Sequence, residues 1–557
     1  MHTNGFILKL VHLPLQKFIH ALLMAAPLLL GGCGGSSNSN AGAIDSANKG
    51  SALDVPDLGA VSVSSVSSPL PLGWWKGAFM QIYVRAYQDS DGDGKGDLKG
   101  LIQRMDYLQD LGVKGIWLLP VTQSSDRDHG YAVKNYRAIE TDYGTQADFD
   151  RLISEAHHRG IGVIVDYVIN HGSNQHPLFL NSASSASNAQ RNYFVWQNTK
   201  PTGWQIYGQD PWFASNQGNG FYFAGFSNTM PDFNWRAAEV DQFHHDNLRY
   251  WLNKGVDGFR FDAVGNLVEN SSTAWEVQAD NHVIMNKIRQ TVMQYNDRYM
   301  VCEAPANSGA FAQSSSCGSA FAFDLSGNIV GAAKGDVGAI QRLADYYKTR
   351  SVNLAPFVSN HDRFAGDRLW NQVQGNVAQY KLAAASYLLL PGTPFIYYGE
   401  EIGMAASNAL SGDAAIRTPM SWTADANGFS SGSPFRSLSS NISTQNVTQQ
   451  LTDATSLHRH YKTLLALRNS QVALTSGAYE GAWSNQKTMG FQRVAGNEKV
   501  MVILNYDAAN ATVSVSSLVA GEVWSPLAGT SSSATVNNAG MMQISVPAQS
   551  FVVLKKI

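Results

Sequence analysis

Charge is scarce in this chain of 557 residues. Asp, Glu, Lys and Arg together make up 15% of it, against about 25% in an average soluble protein. The 40 basic residues nearly balance the 43 acidic ones, and no run of Lys or Arg occurs. A nucleic-acid binder needs such a run or stripe to neutralise phosphates, so that class is excluded. Cysteine is scarcer still, with three in all. That is too few for a disulfide scaffold, and a chain this long can bury a core without one. No apolar run is long enough for a membrane helix. Aromatic residues, by contrast, are plentiful: 11% of the chain, including 13 Trp and 22 Tyr. That surplus excludes disorder. Most of these rings belong in a core, and exposed ones would suit the flat apolar face of an uncharged sugar.

The N-terminus reads as an address. Lys9, Lys17 and His20 precede or flank an apolar stretch over residues 21–30, which runs into Leu30-Gly31-Gly32-Cys33. Small residues before a Cys resemble a bacterial lipobox, in which the Cys becomes the acylated N-terminus. Residues 1–32 are therefore expected to be a signal peptide and Cys33 the lipid-bearing residue. Residues 33–70, rich in Ser, Gly, Ala, Asn and Val, are expected to form a flexible tether of roughly 30–37 Å reach. Gly34 is not the Asp that retains some lipoproteins in an inner membrane. An exported bacterial lipoprotein is expected, anchored in an outer membrane by its lipid alone and facing the periplasm or the surface. Export permits a disulfide between the remaining Cys302 and Cys317, and the bridge is favoured over two free thiols.

From about residue 74 to 470, short apolar runs alternate with amphipathic stretches. The strand candidates are residues 79–87, 115–120, 161–168, 258–264, 299–303, 321–325, 356–359 and 394–398. Eight such runs with intervening helical periods predict an α/β fold, a (β/α)8 TIM barrel. Residues 172–235, rich in Asn, Ser, Gly and aromatics, interrupt the pattern after the third strand and read as an inserted subdomain. The barrel is thus assigned to residues 71–171 and 236–470. Beyond 471 the helices stop, and runs at 500–504, 512–515 and 551–554 predict a C-terminal antiparallel β-sandwich ending at 557.

Several strand candidates end in polar residues that apolar packing does not explain: Asp166 with Asn170 and His171, Arg260 with Asp262, Glu303, and His361 with Asp362. In a barrel these ends share one rim. Crowded carboxyls raise one another's pKa, while Arg260 would hold Asp262 ionised. Two carboxyls with split pKa values can supply a nucleophile and a general acid.

The same segments resemble glycoside hydrolase family 13, the α-amylase family. The resemblance rests on Asp166-x-x-x-Asn170-His171, Gly258-Phe-Arg260-x-Asp262, Glu303 and Asn360-His361-Asp362. Accessory matches are His129-Gly-Tyr131, Met230-Pro-Asp-Phe-Asn234 and the segment from Gly392 to Glu400. It implies retaining hydrolysis of α-glucosidic bonds without a cofactor for the chemistry. Asp262 would be the nucleophile, Glu303 the acid and base, and Asp362 the stabiliser of the oxocarbenium-like transition state. Arg260 would orient Asp262, His171 and His361 would bond sugar hydroxyls, Tyr131 would stack on the ring, and Asp166 would order the site. Catalytically silent barrel relatives that only bind glucans lack one of the three acids, and this chain has all three.

Asp89, Asp91, Asp93 and Asp97 alternate around a Gly-rich loop that includes Lys95. Hard oxygen ligands at that spacing suit Ca²⁺, and a similar loop binds Ca²⁺ in oligo-1,6-glucosidase-like members, with Lys95 contributing its carbonyl. A structural role is expected. A second site of many α-amylases uses a His four residues after the nucleophile, where this chain has Asn266, after Gly265 in place of a common Lys. Specificity signals are mixed. Ala263 after the nucleophile resembles α-1,4-acting members, whereas Asp128 resembles the acid that closes the non-reducing end in exo-acting glucosidases. The reading is an endo-type α-amylase acting on starch, maltodextrin or related α-glucans, with an α-glucosidase or transglycosylase as the alternative. A monomer is expected.

Overall fold

The computed structural model describes residues 52–529 and 532–557. The expected signal peptide, Cys33 and the first part of the expected tether lie outside them. Eight parallel strands are built from the short apolar runs: β1 (Phe79–Ile82), β2 (Gly115–Leu118), β3 (Gly162–Val168), β4 (Gly258–Asp262), β5 (Tyr299–Cys302), β6 (Ala320–Phe321), β7 (Leu354–Ala355) and β8 (Phe395–Tyr397). They neighbour one another in chain order, with β8 returning to β1. The Phe395 N–H donates to the Pro356 carbonyl at 3.0 Å and closes the ring.

Side-chain alternation then sorts each strand into two faces. Phe79, Trp117, Ile164, Tyr299, Val301, Phe321 and Phe395 pack together inside the barrel. Phe259 and Phe261 turn outward into the core beneath the helices. On β4 that leaves Arg260 and Asp262 facing in, and Asp166 of β3 is in register with Arg260. By the same parity Glu303, two residues past Val301, faces in. Cys302 faces out and is disulfide-bonded to Cys317.

Three strands depart most from their apolar runs. Residues 84–86 form a 3₁₀ turn after β1. The run at 321–325 contributes only Phe321 to the two-residue strand, since a helix, Phe323–Ala333, takes over. The seventh strand is Leu354–Ala355 and not residues 356–359. Pro356 has no N–H to continue the ladder, and its carbonyl serves the closing bond instead.

Within residues 172–235 lie a helix, Pro177–Ser184, and a sheet of Trp196–Gln197, Trp212–Ala214 and Phe221–Phe223. A bridge between His171 and Asp232 ties this segment to the barrel rim. After residue 477 a six-stranded sheet and a two-stranded sheet face each other across Met501, Ile503, Trp524, Val552 and Leu554. The opposite face of the larger sheet presents Val500, Val502 and Leu504 to the barrel's core. Burial on both faces explains why residues 500–504 read as an unbroken apolar run.

The expected tether requires correction. Residues 53–70 are docked onto the barrel. Leu53 exchanges two hydrogen bonds of 2.8 Å with the Asn181 amide. The N–H groups of Val61 and Ser64 donate to Asp246 and Asn253. Asp57 is fully buried. It accepts the Tyr136 N–H at 2.7 Å and pairs with His176 at 3.0 Å. Since His176 Nδ1 accepts the Leu178 N–H, its Nε2 carries the proton donated to Asp57. Composition suggests slack chain here, but side chains of the barrel satisfy this segment's backbone. Removing Asp57 leaves a buried donor pair without an acceptor. Asp57→Ala is expected to cost about 3 kcal/mol, read as a lowered melting temperature. An unchanged melting temperature would refute this role for the segment.

Candidate active site

The site is organised by one guanidinium. Arg260 is 1% exposed. Its Nη1 donates to Asp166 at 2.8 and 3.0 Å and to Asp262 at 2.7 Å. Its Nη2 lies 2.8 Å from Glu303 Oε2. Strand parity brings the first two carboxylates to it, and β5 brings the third. Glu303 also accepts the backbone N–H of Ala263 at 3.1 Å. Ala263 holds φ at +48°, a left-handed conformation uncommon for a residue with a Cβ. That turn aims the peptide following Asp262 at the neighbouring acid.

A second chain of bonds runs through Tyr131. Its hydroxyl lies 2.8 Å from Asp166 Oδ2 and 2.7 Å from His361 Nε2. Gln81 donates to His361 Nδ1 at 2.6 Å, so the ring proton sits on Nε2 and points at the phenol oxygen. Tyr131 then donates its own proton to Asp166. Burial drives the His361 pKa well below its ordinary value, helped by the Arg417 and Arg260 charges. The imidazole is therefore neutral, as this hydrogen-bond order requires. His171 is pushed down to about 3 by burial, and its Nε2 has no hydrogen-bond partner among the described residues.

Asp362 is bound by Arg417 at 2.7 Å. Asp128 lies farther out. It takes the Tyr83 hydroxyl at 2.5 Å and both its oxygens meet Arg436 Nη2, at 2.7 and 2.9 Å. Arg436, Tyr83 and Gln81 were not among the residues singled out by sequence; Arg417 was, but only within Arg417-Thr-Pro-Met420-Ser-Trp422, a motif similar to that of glucosidase-like members and with no role attached. For Gln81 the signal was a polar residue at an inward position of β1. Nothing in the sequence marks Arg436.

Four carboxyls thus crowd two guanidiniums away from water. Burial is the largest influence on each acid and raises it. Asp166 and Asp262 rise to about 6, Glu303 and Asp362 to about 7, with Arg260 or Arg417 opposing. The two terminal nitrogens of Arg260 hold Asp262 at 2.7 Å and Glu303 at 2.8 Å, and the Asp262 charge adds to the rise of Glu303. One of the pair holds the proton more firmly than the other, which is the division of labour a nucleophile and a proton donor need.

On the loop after β1, Asp89, Asp91 and Asp97 offer carboxylate oxygens within 4.8 Å of one another. Burial pushes Asp89 up, but the Ser430 hydroxyl and three loop N–H groups outweigh it and leave its pKa lowered. Asp93 is not one of these three and pairs with Lys95 Nζ at 3.2 Å. Three hard carboxylates around a tight turn suit a Ca²⁺-type cation.

A model of the α-amylase catalytic domain matches residues 81–477. Alpha-amylase 3 of Dictyoglomus thermophilum is 33% identical over 79% of this chain and 86% of its own length. An oligo-1,6-glucosidase of Parageobacillus thermoglucosidasius is 29% identical over 78% and 90%. Among solved structures, the α-amylase of H. orenii superposes with a TM-score of 0.75 at 31% identity, covering 86% of this chain and 99% of that one. An α-glucosyl transfer enzyme gives 0.76 at 26% identity, covering 87% and 100%. With the barrel, its rim of carboxylates and this breadth of match in hand, the chain belongs to glycoside hydrolase family 13, the α-amylase family.

Proposed function

We propose that this glycosidase hydrolyses α-1,4-glucosidic bonds of starch, maltodextrin or related α-glucans from within the chain and with retained anomeric configuration. The grip of one guanidinium on both carboxyls carries the reading: Arg260 Nη1 holds Asp262 at 2.7 Å and its Nη2 holds Glu303 at 2.8 Å. Inverting enzymes hold their two carboxyls about 6.5–9.5 Å apart to admit a water, and retaining ones about 5–5.5 Å. Two carboxyls bound by the neighbouring nitrogens of one guanidinium suit the shorter separation.

Asp262, ionised beside Arg260, attacks the anomeric carbon as Glu303 gives its proton to the glycosidic oxygen, and the C–O bond breaks. Glu303, now a carboxylate, takes a proton from water. The water oxygen attacks the same carbon and Asp262 leaves. Asp362 stabilises the positive charge developing on the ring, and Arg260 orients Asp262. The free His171 Nε2 and the Tyr131–His361 wall meet its hydroxyls.

A second reading, an exo-acting α-glucosidase or a transglycosylase, is favoured by one observation. The Asp128–Arg436 ion pair stands beyond Tyr131 and Arg417, where an extended glucan would continue. A short time course on maltoheptaose separates the two. Endo action gives a spread of short oligosaccharides at once, whereas exo action gives glucose with maltohexaose.

For the loop after β1, a structural Ca²⁺ held by Asp89, Asp91 and Asp97 is part of the proposal, as is export with a lipid on Cys33 and action as a monomer at a membrane surface. EDTA is expected to lower the melting temperature, with Ca²⁺ restoring it. No shift, together with no bound metal by mass spectrometry, would overturn the metal.

The site's own test is a pH profile. Activity needs Asp262 ionised, so it falls as pH drops through about 6, and needs Glu303 protonated, so it falls as pH rises through about 7. Both limbs belong to the coupled pair. Asp262→Asn should abolish turnover, and Glu303→Gln should lower kcat by about 10²–10⁴-fold while removing the alkaline limb. Full activity in Asp262→Asn would refute the nucleophile.

A further inference from the structure

His171 is carried by the chain that passes from the end of β3 into the inserted subdomain. Two carbonyls of that chain, those of Val168 and His171, accept the Tyr136 hydroxyl at 2.9 and 2.8 Å. Tyr136 belongs to the strand Val133–Ile139 and is 1% exposed. Its ring is packed by Tyr167, Phe233, Phe243 and His244. One hydroxyl, fixed by its ring, therefore sets the spacing between the strand end and His171. The imidazole itself rests against Phe226 at 5.3 Å, a ring that is 37% exposed. That open packing leaves the backbone to determine where the imidazole stands.

Tyr136 is held from behind by the segment docked on the barrel. Asp57 Oδ2 accepts the Tyr136 N–H at 2.7 Å and the His176 Nε2–H at 3.0 Å. The Gly59 carbonyl accepts from Arg137, the next residue of the same strand, at 2.6 Å. His176 caps the helix Pro177–Ser184, and its N–H donates to the Ser173 carbonyl at 3.0 Å. A single carboxylate oxygen thus gathers both ends of the stretch that bears His171. One end is gripped through Tyr136 and the other through His176.

Resting on the proposed contact between His171 and a sugar hydroxyl, we infer that Asp57 is a positioning residue for the reaction: through Tyr136 and His176 it sets where the His171 imidazole stands at the rim. The segment that carries Asp57 is a working part of the active site and more than a fastening. Asp57 touches no substrate. Its effect on turnover passes through His171, and a shift of about 1 Å there is enough to lower turnover substantially.

Residues that act through one another give non-additive losses, so a double-mutant cycle tests the inference. The readout is kcat/KM on maltoheptaose at a temperature well below the melting of every variant. Asp57→Ala is expected to lower it about tenfold or more. Tyr136→Phe keeps the ring in its packing, removes only the hydroxyl, and is expected to act in the same direction. His171→Ala removes the imidazole and keeps the carbonyl that Tyr136 holds. In that background both changes are expected to have less than about a twofold further effect. Asn253→Ala releases the same segment at Ser62 and Ser64. It should lower the melting temperature and leave kcat/KM within about twofold of the parent. Losses that multiply in the His171→Ala background, full activity in Asp57→Ala or Tyr136→Phe, or an equal loss in Asn253→Ala would overturn the positioning role. If Asp57→Ala fails to fold, Tyr136→Phe carries the cycle. A His171→Ala protein with undiminished kcat/KM would instead overturn the sugar contact of His171, and the inference with it.

Discussion

Everything at the rim depends on a single buried cation. Arg260 faces Asp166, Asp262 and Glu303 at once, with Tyr131 as a further neighbour. One positive charge cannot fully compensate three carboxyls withdrawn from water. The shortfall shows in their raised pKa values, which are the working range of acid–base catalysis near neutrality. An apolar replacement for Arg260 would leave an uncompensated cluster, whereas a Lys would lose the fork that lets one residue reach three acids on three strands. The scarcity of charge in the chain as a whole sharpens the effect, since few other cations are placed to relieve this cluster. Arg417 serves Asp362 in the same manner from outside the barrel sheet.

Strand parity links that chemistry to the fold. On β1, β3 and β5 the inward face stacks an apolar residue low in the barrel and a polar one above it: Phe79 then Gln81, Ile164 then Asp166, Val301 then Glu303. The packed lower layer excludes water and fixes the strands' relative height. The upper layer inherits that fixed height, so carboxylates far apart in sequence arrive at Arg260 within hydrogen-bonding distance. The disulfide follows the same rule on the other face. Cys302 must point away from the site because Glu303 points into it, and its bond to Cys317 ties down the chain that follows the proton donor.

The legible part of the molecule was the part written in alternation. Arg260-Phe-Asp262 and Val301-Cys-Glu303 declare their inward members once a strand is granted, and the rim could be assembled from them. What escaped were interactions whose local sequence carries no period. Residues 53–70 look like slack because small and weakly polar side chains have no preferred partner, yet backbone groups and one Asp, Asp57, hold the segment down. Arg436 and Asp128 meet across 308 positions, with nothing at either end to announce the other. The seventh strand was misplaced because Val358 and its neighbours are apolar enough to suggest pairing, whereas the ladder ends where Pro356 lacks a donor.

Strain marks the same boundary from the other side. Arg127, Tyr207 and Ala263 all hold positive φ, and each adjoins the site: before Asp128, beside Asn266, and after Asp262. None is a glycine or an Asn, so local preference opposes all three conformations. A sequence optimised for its own turns would not place these residues there. Their persistence has a positional reason in each case that can be traced. Ala263 delivers an N–H to Glu303, and the Tyr207 hydroxyl meets the Asn266 amide. The site is therefore most exacting where local propensity and global geometry disagree, and the packed barrel beneath it supplies the stability that lets the disagreement stand.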